Sequence, residues 1–248
     1  MKLSLLPLLL TGSLIMGVQA VNASDNRFEY CEFGSASDPD GDGYGWENNA
    51  TCLVKSDESY TVTVRNLTYQ QVLSPVIAVS HNKSVALLNA GHPASAGLTA
   101  IAEGGDTSVL AASLEGVDAV SGVSTSDGPV PPASEVSFQI NGSDAYISLA
   151  SMLVNTNDAV MIVDTAELPA SSGDYVKYYA HTWDAGTETN DEICAHIPGP
   201  ACGGAGASPD DDGEGFVHIH RGFQGVGDLD AARNAWSDPV AVVTIMRN

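Results

Sequence analysis

Carboxylates crowd the segment HTWDAGTETNDEIC, which occupies positions 181–194. The acidic residues within it are Asp184, Glu188, Asp191 and Glu192, and no Lys or Arg accompanies them. Ca²⁺ binds six to eight oxygen atoms, largely from carboxylates and backbone carbonyls on loops. Asp184 and Glu188 flank Ala-Gly-Thr, where Gly186 permits a tight turn that would bring both side chains to one ion. Composition alone leaves a calcium site and a solvated acidic loop both open.

Two histidines offer a different metal chemistry. His218 and His220 are two residues apart on a predicted strand, so both point to one face of it. A His-x-His pair can bind zinc or copper. The sequence identifies no third ligand, and the pair is interpreted as two partly exposed histidines. No Ser or Cys has the surroundings of an activated nucleophile, so we expect no enzymatic activity.

The elements that position these residues are mostly strands. Alternation and β-branched content predict strands at 60–69, 74–80, 135–140, 146–154, 159–165, 174–183, 215–222 and 239–246. A weaker helical stretch covers 94–116 and is interrupted by Gly104 and Gly105, and a shorter helix is predicted from Asp228 to Trp236. Many short strands with long loops predict an all-β fold, an antiparallel β-sandwich with short helices in its loops.

The beginning of the chain has the pattern of an export signal. Lys2 precedes an apolar run that ends near Val18, and small residues allow cleavage after Ala20 or Ala23. No later segment is apolar for long enough to span a bilayer. We therefore predict a signal peptide at 1–23, a small module at 24–56 and a β-sandwich at 57–248. The protein is expected to be secreted, extracellular or periplasmic, or associated with the cell surface.

Charge and cysteine content agree with export. The net charge is −22, which disfavours binding to nucleic acids and anionic membranes. An even number of cysteines in an exported chain indicates disulfides. Three pairings are possible. Cys31–Cys52 with Cys194–Cys202 is favoured, because the two pairs lie in regions of different composition.

The sandwich resembles a known family. The hexapeptide WDAGTE at 183–188 is close to the W-D-A-G-T-D of the spondin domain, the amino-terminal calcium-binding sandwich of F-spondin and its bacterial relatives. The segments at 60–81, 151–163, 215–230 and 238–245 also resemble that family, so the similarity covers about 59–248. The resemblance implies a fold like the C-two-type calcium sandwich, without enzymatic activity. It also implies a role in attachment, since vertebrate members act in matrix and cell attachment.

The resemblance further implies which residues hold calcium. Carried over by motif, the ligands are Asp158, Asp184 and Glu188. Asp158 follows Asn-Thr-Asn where the family has a Ser-Pro pair, and Glu188 replaces an Asp of the family. The longer Glu188 side chain can bind with both oxygens or reach the ion from a shifted position.

The small module resembles a second group of proteins. GYGWENNATC, at 43–52, is similar to the G-W-G-W-E-N-x-x-S-C core of small cellulose-binding modules. Tyr44 and Trp46 alternate, so on a strand both rings share one face and can stack on sugars. The same region supports two other interpretations, a reduced calcium loop at Asp38, Asp40 and Asp42 and a disulfide-closed linker.

Two functions follow as expectations. The first is a non-enzymatic, secreted, calcium-binding protein that attaches to an extracellular surface or matrix component. The alternative is a polysaccharide-binding accessory protein in which the small module contacts the glycan and the sandwich is a scaffold.

Overall fold

A computed structural model describes residues 58–207 and 212–248 in full, together with the backbone of three strands before them. Those strands are β1 (Gly17–Gln19), β2 (Glu29–Phe33) and β3 (Ala50–Val54), and they form an antiparallel sheet in that order. The chain divides into two compact units, Met1–Asp57 and Glu58–Asn248.

The register of the first unit bears on one predicted disulfide. Cys31 on β2 pairs directly with Cys52 on β3. Their side chains, and those of Tyr44 and Trp46, lie outside the described residues. The Cys31–Cys52 disulfide, the sugar-binding aromatics and the signal peptide therefore stay predictions.

The second unit is built mainly from strands. Its strands are β4 (Glu58–Asn66), β5 (Ile77–His81), β6 (Val120–Thr125), β7 (Glu135–Gly142), β8 (Tyr146–Met152), β9 (Ala159–Glu167), β10 (Tyr175–Asp184), β11 (His218–Ile219) and β12 (Ala241–Arg247). Its helices are α1 (Ala96–Gly104), α2 (Ser108–Leu114), α3 (Ala231–Asn234) and a 3₁₀ turn at Cys194–His196. None of the described helices is both long enough and apolar enough to cross a membrane.

Every strand pair among the described residues of this unit is antiparallel, and the order is β6-β5-β8-β9-β10-β12-β4-β7, with β11 also paired to β10. Strand β10 pairs with two different strands along its length. Its residues 175–180 pair with β12, whereas its residues 181–184 pair with β9. Strands that pass from one sheet to the other form the corners of sandwiches. The predicted all-β antiparallel sandwich is confirmed.

The main hydrophobic core lies inside the β-sandwich, between its two sheets. Alternate side chains of β4, β8, β9 and β12 fill it, among them Tyr60, Val62, Val64, Ile147, Leu149, Met161, Val163, Val243 and Ile245. Burial of each large apolar side chain contributes roughly 1.5–3 kcal/mol. Packing in this core fixes the positions of β9 and β10, and the acidic residues lie at the ends of these two strands.

A second core covers the outer face of β5, β8 and β9. Ser95 is the N-cap of helix α1, and its Oγ accepts a hydrogen bond from the backbone N–H of Leu98. The helix ends before Gly105, which adopts a left-handed conformation with φ of 66°. The helices contribute Leu98, Ile101, Ala102 and Leu110, which cluster with Ile77, Val79, Val160 and Ile162 of the sheet. These strands are therefore buried on both faces, as their continuous apolar sequences indicate.

Some elements differ from the sequence prediction. Strand β6 (Val120–Thr125) was not predicted. The helical stretch at 94–116 forms α1 and α2, with the interruption at Gly104 and Gly105 as predicted, whereas the helix predicted from Asp228 to Trp236 is only α3. The strand predicted at 215–222 shortens to His218–Ile219. Glycines at both ends of that segment, Gly215 and Gly222, have φ of 80° and 85°, which end extended pairing.

Candidate metal centre

The acidic cluster lies where β9 begins and β10 ends. Asp158 immediately precedes β9 and Asp184 is the last residue of β10. In the β9–β10 pair, Ala159 lies opposite Asp184, so the two carboxylates come from neighbouring strand ends. Past Asp184 the chain turns back, and the N–H of Ala185 donates to the carbonyl of Asp158 at 3.2 Å. Gly186 takes a φ of 68° in this turn.

Asp158 anchors the loop that follows β10. Its Oδ2 accepts hydrogen bonds from the backbone N–H groups of Thr187 at 2.7 Å and Glu188 at 3.1 Å. The residue is fully buried, and its other oxygen, Oδ1, has no hydrogen-bond partner. Burial, followed by the negative charge of Asp184, raises the pKa of Asp158 to about 7. This is a carboxylate whose ionised form needs a positive partner.

Asp184 is also buried, with 1% of its surface exposed. Its Oδ1 accepts from the N–H of Gly186 at 2.8 Å, and its Oδ2 accepts from Asn190 Nδ2 at 2.7 Å. Burial raises the pKa of Asp184 despite these two hydrogen bonds, which act in the opposite direction. In the described part of the chain, neither Asp158 nor Asp184 forms an ion pair with a Lys or Arg.

The third predicted ligand, Glu188, lies on the same loop and is 0% exposed. Its backbone N–H contacts Asp158 directly, so the loop holds Asp158, Asp184 and Glu188 in one buried neighbourhood. Their joint role in binding an ion stays a prediction.

A different set of ligand atoms lies closer together. Asp184, Glu214 and His218 each offer one ligand atom, and these three atoms lie within 4.8 Å of one another. Among the described residues this is the one group of three His, Cys, Asp or Glu side chains at such spacing. His218 reaches Asp184 because β11 pairs with β10 and places the two residues directly opposite.

Sequence reasoning missed this group. Glu214 was part of a glycine-rich loop and was not predicted as a ligand. His218 was considered as a metal ligand only with His220. The available signal was the His-x-His pattern close to an acidic residue, but the pairing of β10 with β11 was needed to identify Asp184 as its neighbour.

His220 has another role. Its Nδ1 accepts from the N–H of Gly222 at 2.9 Å, so its proton is on Nε2, which lies 3.1 Å from the Asn190 Oδ1. Asn190 in turn donates to Asp184. Burial, and then the proximity of His218, lowers the pKa of His220 to about 4. The imidazole is therefore neutral and orients Asp184 through Asn190.

The other two acids of the crowded segment hold loops in place. Asp191 accepts from Asn157 Nδ2 at 3.0 Å and from the N–H of Ile193 at 2.9 Å. The carboxylate of Glu192 accepts from the backbone N–H groups of Gln224 at 2.5 Å and Val226 at 2.7 Å. Asp191 and Glu192 therefore accept hydrogen bonds that hold neighbouring loops in place.

The loop after this segment is closed covalently. Cys194 and Cys202 form a disulfide, as predicted. A cavity of about 220 Å³ adjoins the acidic cluster, and the residues that line it include Asp184, Glu214, His218, His220 and Arg221.

One buried set has the residue types of a hydrolase triad. His81 Nε2 lies 2.8 Å from Ser148 Oγ, which donates to Asp164 Oδ1 at 3.0 Å. His81 and Ser148 are 0% exposed, and the aspartate contacts the serine instead of the histidine. A catalytic triad needs an accessible nucleophile and an aspartate that orients the histidine, so this set is a buried polar network.

Comparison with known proteins gives one broad match and one local match. A model of the Spondin_N family, the spondin amino-terminal domain, matches residues 62–193, which is more than half of the 248-residue chain. Over 30 residues the chain is 60% identical to the mannan endo-1,4-beta-mannosidase of Streptomyces lividans. That stretch is 12% of this chain and 8% of the enzyme, so the chain spans less than a tenth of the relative that it matches.

Proposed function

The chain belongs to the Spondin_N family, and on that premise we propose that it is a secreted, calcium-binding protein of the spondin type. It acts in attachment to an extracellular surface or matrix component and carries out no enzymatic reaction. The calcium ligands are Asp158, Asp184 and Glu188, all of which fall within the matched residues.

The observation that carries the calcium proposal is the buried, unsatisfied Oδ1 of Asp158. A buried polar atom without a hydrogen bond costs about 1–3 kcal/mol, and more when it is charged. Asp184 and Glu188, which lie on the loop that bonds to Asp158, are two further buried acidic residues. A divalent cation offsets this cost, and oxygen atoms of carboxylates are the ligands that Ca²⁺ prefers. The residues present therefore fit the ion.

The charges also favour a divalent ion. Three ionised carboxylates carry a charge of −3, and one Ca²⁺ reduces it to −1. The loop at 184–188 already bonds to Asp158 through two backbone N–H groups. Bound calcium would supply electrostatic stabilisation to this loop at the edge of the sandwich. A fixed loop at a sandwich edge is a surface on which attachment can depend on calcium.

Isothermal titration of the chelator-treated protein with CaCl₂ tests this proposal. We expect one calcium per chain, and we expect Asp158→Asn, which keeps an oxygen acceptor for the loop but loses the charge, to weaken binding at least tenfold. Asp174→Asn is the matched control, because Asp174 is exposed and lies in a turn outside the cluster. Equal calcium affinity in the two variants contradicts the ligand assignment.

Attachment is tested separately. The purified protein is applied to surfaces coated with extracellular matrix in calcium and in chelator. We expect retention in calcium and release on chelation, with Asp158→Asn released in both conditions. Retention that does not change with calcium, in a protein that binds calcium, contradicts the proposed role of the ion in attachment.

A second candidate function rests on the local match. The relative is a mannan endo-1,4-beta-mannosidase, and the segment GYGWENNATC resembles small cellulose-binding modules. On this hypothesis Tyr44 and Trp46 stack on a polysaccharide such as mannan or cellulose. A pull-down of the full chain on insoluble mannan, cellulose and chitin tests it. Trp46→Ala should remain in the supernatant, whereas Tyr69→Ala, a 74% exposed aromatic of the other unit, should sediment like the wild type.

A further inference from the structure

We propose that Asp184, Glu214 and His218 form a second cation site, which takes a transition metal of the zinc class. This site goes beyond the proposed calcium function and shares only Asp184 with the calcium ligands. Asp158 and Glu188 lie outside the group of three whose ligand atoms are within 4.8 Å of one another.

The proton position on His218 is the first reason. Its Nδ1 lies 3.1 Å from the carbonyl oxygen of Ile219, and a carbonyl only accepts, so Nδ1 carries the proton. In the neutral imidazole, which is the form that binds a metal, the lone pair of Nε2 then faces Asp184 Oδ1 at 3.8 Å and Glu214 Oε2 at 3.9 Å. In this form the Nε2 lone pair and the two carboxylate oxygens face one another, and a cation is what such an arrangement binds.

The spacing is the second reason. Zinc bonds to imidazole nitrogen and carboxylate oxygen are about 2.0–2.2 Å long, so neighbouring ligand atoms in a tetrahedral site are about 3.4 Å apart. The distances from His218 Nε2 to the two carboxylate oxygens, 3.8 and 3.9 Å, need to shorten by a few tenths of an ångström. The ligand atoms of Asp184 and Glu214 lie within 4.8 Å of each other, and rotation of the partly exposed Glu214 side chain can close that distance. An imidazole with two carboxylates is a ligand set for zinc, whereas Ca²⁺ takes oxygen ligands.

The surroundings of Asp184 are the third reason. Asn190 donates to Asp184 Oδ2, and the neutral His220 holds Asn190, so a second layer orients the shared carboxylate. Partners of this kind are typical of metal ligands.

The cavity shows that the site is open. Its volume is about 220 Å³, and it adjoins all three ligands. Three protein ligands therefore leave at least one coordination position for water or for a group of a partner molecule, as in zinc sites that are not purely structural. Arg221 lines the same cavity but forms no ion pair with a described carboxylate.

Titration of the full chain with ZnCl₂, in the presence of saturating calcium, tests the site. We expect one zinc per chain and a loss of affinity of at least tenfold in His218→Gln and in Glu214→Gln. The matched control is His181→Gln, since the His181 side chain is 62% exposed and faces Asp238 instead of the cluster. Melting curves without metal establish that the variants fold like the wild type.

The outcomes separate this inference from the calcium proposal. We expect His218→Gln to retain calcium binding, and Asp158→Asn and Glu188→Gln to retain zinc binding. No zinc binding by the wild type, or equal zinc affinity in His218→Gln and His181→Gln, overturns the second site and leaves the calcium proposal unaffected. Loss of calcium binding in His218→Gln also overturns it, because one shared site then explains both ions.

Discussion

Asp158 Oδ2 accepts a hydrogen bond from the backbone N–H of Glu188 at 3.1 Å. One carboxylate therefore holds the loop that carries another predicted ligand, while its own second oxygen is unsatisfied. Asp158 therefore has two separable properties. Its Oδ2 accepts the hydrogen bonds that hold the loop, and its negative charge can attract a cation.

Calcium should stabilise the protein against heat. Binding to the folded state alone adds about 2.7 kcal/mol at a hundredfold excess over the dissociation constant, which for a domain of this size raises the melting temperature by roughly 5–10 °C. Asp158→Asn should lose most of this increase, and Asp174→Asn should keep it. Calorimetric scans in millimolar calcium and in chelator measure the difference, and identical scans in the two conditions contradict the prediction.

Without metal, the pH dependence of stability should report Asp158. Because its pKa rises from 3.8 to about 7 on folding, its contribution is fully present below pH 4 and is lost as the pH rises through about 7. The slope from one such group is at most about 1.4 kcal/mol per pH unit. In chelator, Asp158→Asn should therefore gain stability relative to the wild type between pH 4 and 7, measured by urea denaturation.

Titration of His220 also changes the stability of the wild type with pH. The effect of Asp158 is therefore measured as the difference in unfolding free energy between Asp158→Asn and the wild type. Burial lowers the pKa of His220 from 6.5 to about 4, so its contribution is present above pH 6.5 and is lost as the pH falls towards 4. The two trends oppose each other in the wild-type curve. A constant difference in unfolding free energy between Asp158→Asn and the wild type at every pH counts against a raised Asp158 pKa.

Gly186→Ala should damage the cluster. Gly186 has a φ of 68°, and a Cβ there would collide with the backbone of Phe216. Gly173→Ala is the matched control, because its φ of 83° carries the same conformational cost but its surroundings are open. We expect Gly186→Ala to be less stable than Gly173→Ala by at least about 1 kcal/mol and to bind calcium more weakly. Equal unfolding free energies would show that the loop can move away from Phe216.

Removal of the described disulfide should cost stability without removing the cation site. Cys194 and Cys202 are eight residues apart, and the chain-entropy model gives roughly 2.5 kcal/mol for such a loop. The double variant Cys194→Ser/Cys202→Ser should lose about that much in urea denaturation. Calcium affinity should change little, because the bonds between Asp158, Thr187 and Glu188 lie outside the closed loop. A large loss of affinity would show that the disulfide supports the cluster.

Local sequence patterns predicted most strands for a physical reason. Strands such as β4 and β12 alternate apolar and polar residues, since one face meets the core and the other meets water. Strand β6 was missed because VSGVST is short and rich in Ser and Gly, and none of its residues is fully buried. Its position is set by pairing with β5, which lies more than 35 residues earlier in the chain and leaves no local signal.

The sequence likewise predicted only the residues of the candidate site that lie close together in the chain. Asp184, Gly186 and Glu188 are close in sequence, so their spacing indicated a shared turn. Glu214 and His218 come from a segment about 30 residues later, and only the pairing of β11 with β10 brings them to Asp184. The neutral state of His220 also depends on burial and on the N–H of Gly222, which residue types do not reveal.

The division of β10 between two partners has an evolutionary consequence. Its first six residues are registered against β12 and its last four against β9. A substitution on its outer face changes neither register, and Tyr175 and Tyr179 there are each 62% exposed. An insertion or deletion within the strand would have to break one register to keep the other, and would turn Asp184 away from Asp158 and His218. Along a lineage, β10 can therefore change its composition far more readily than its length.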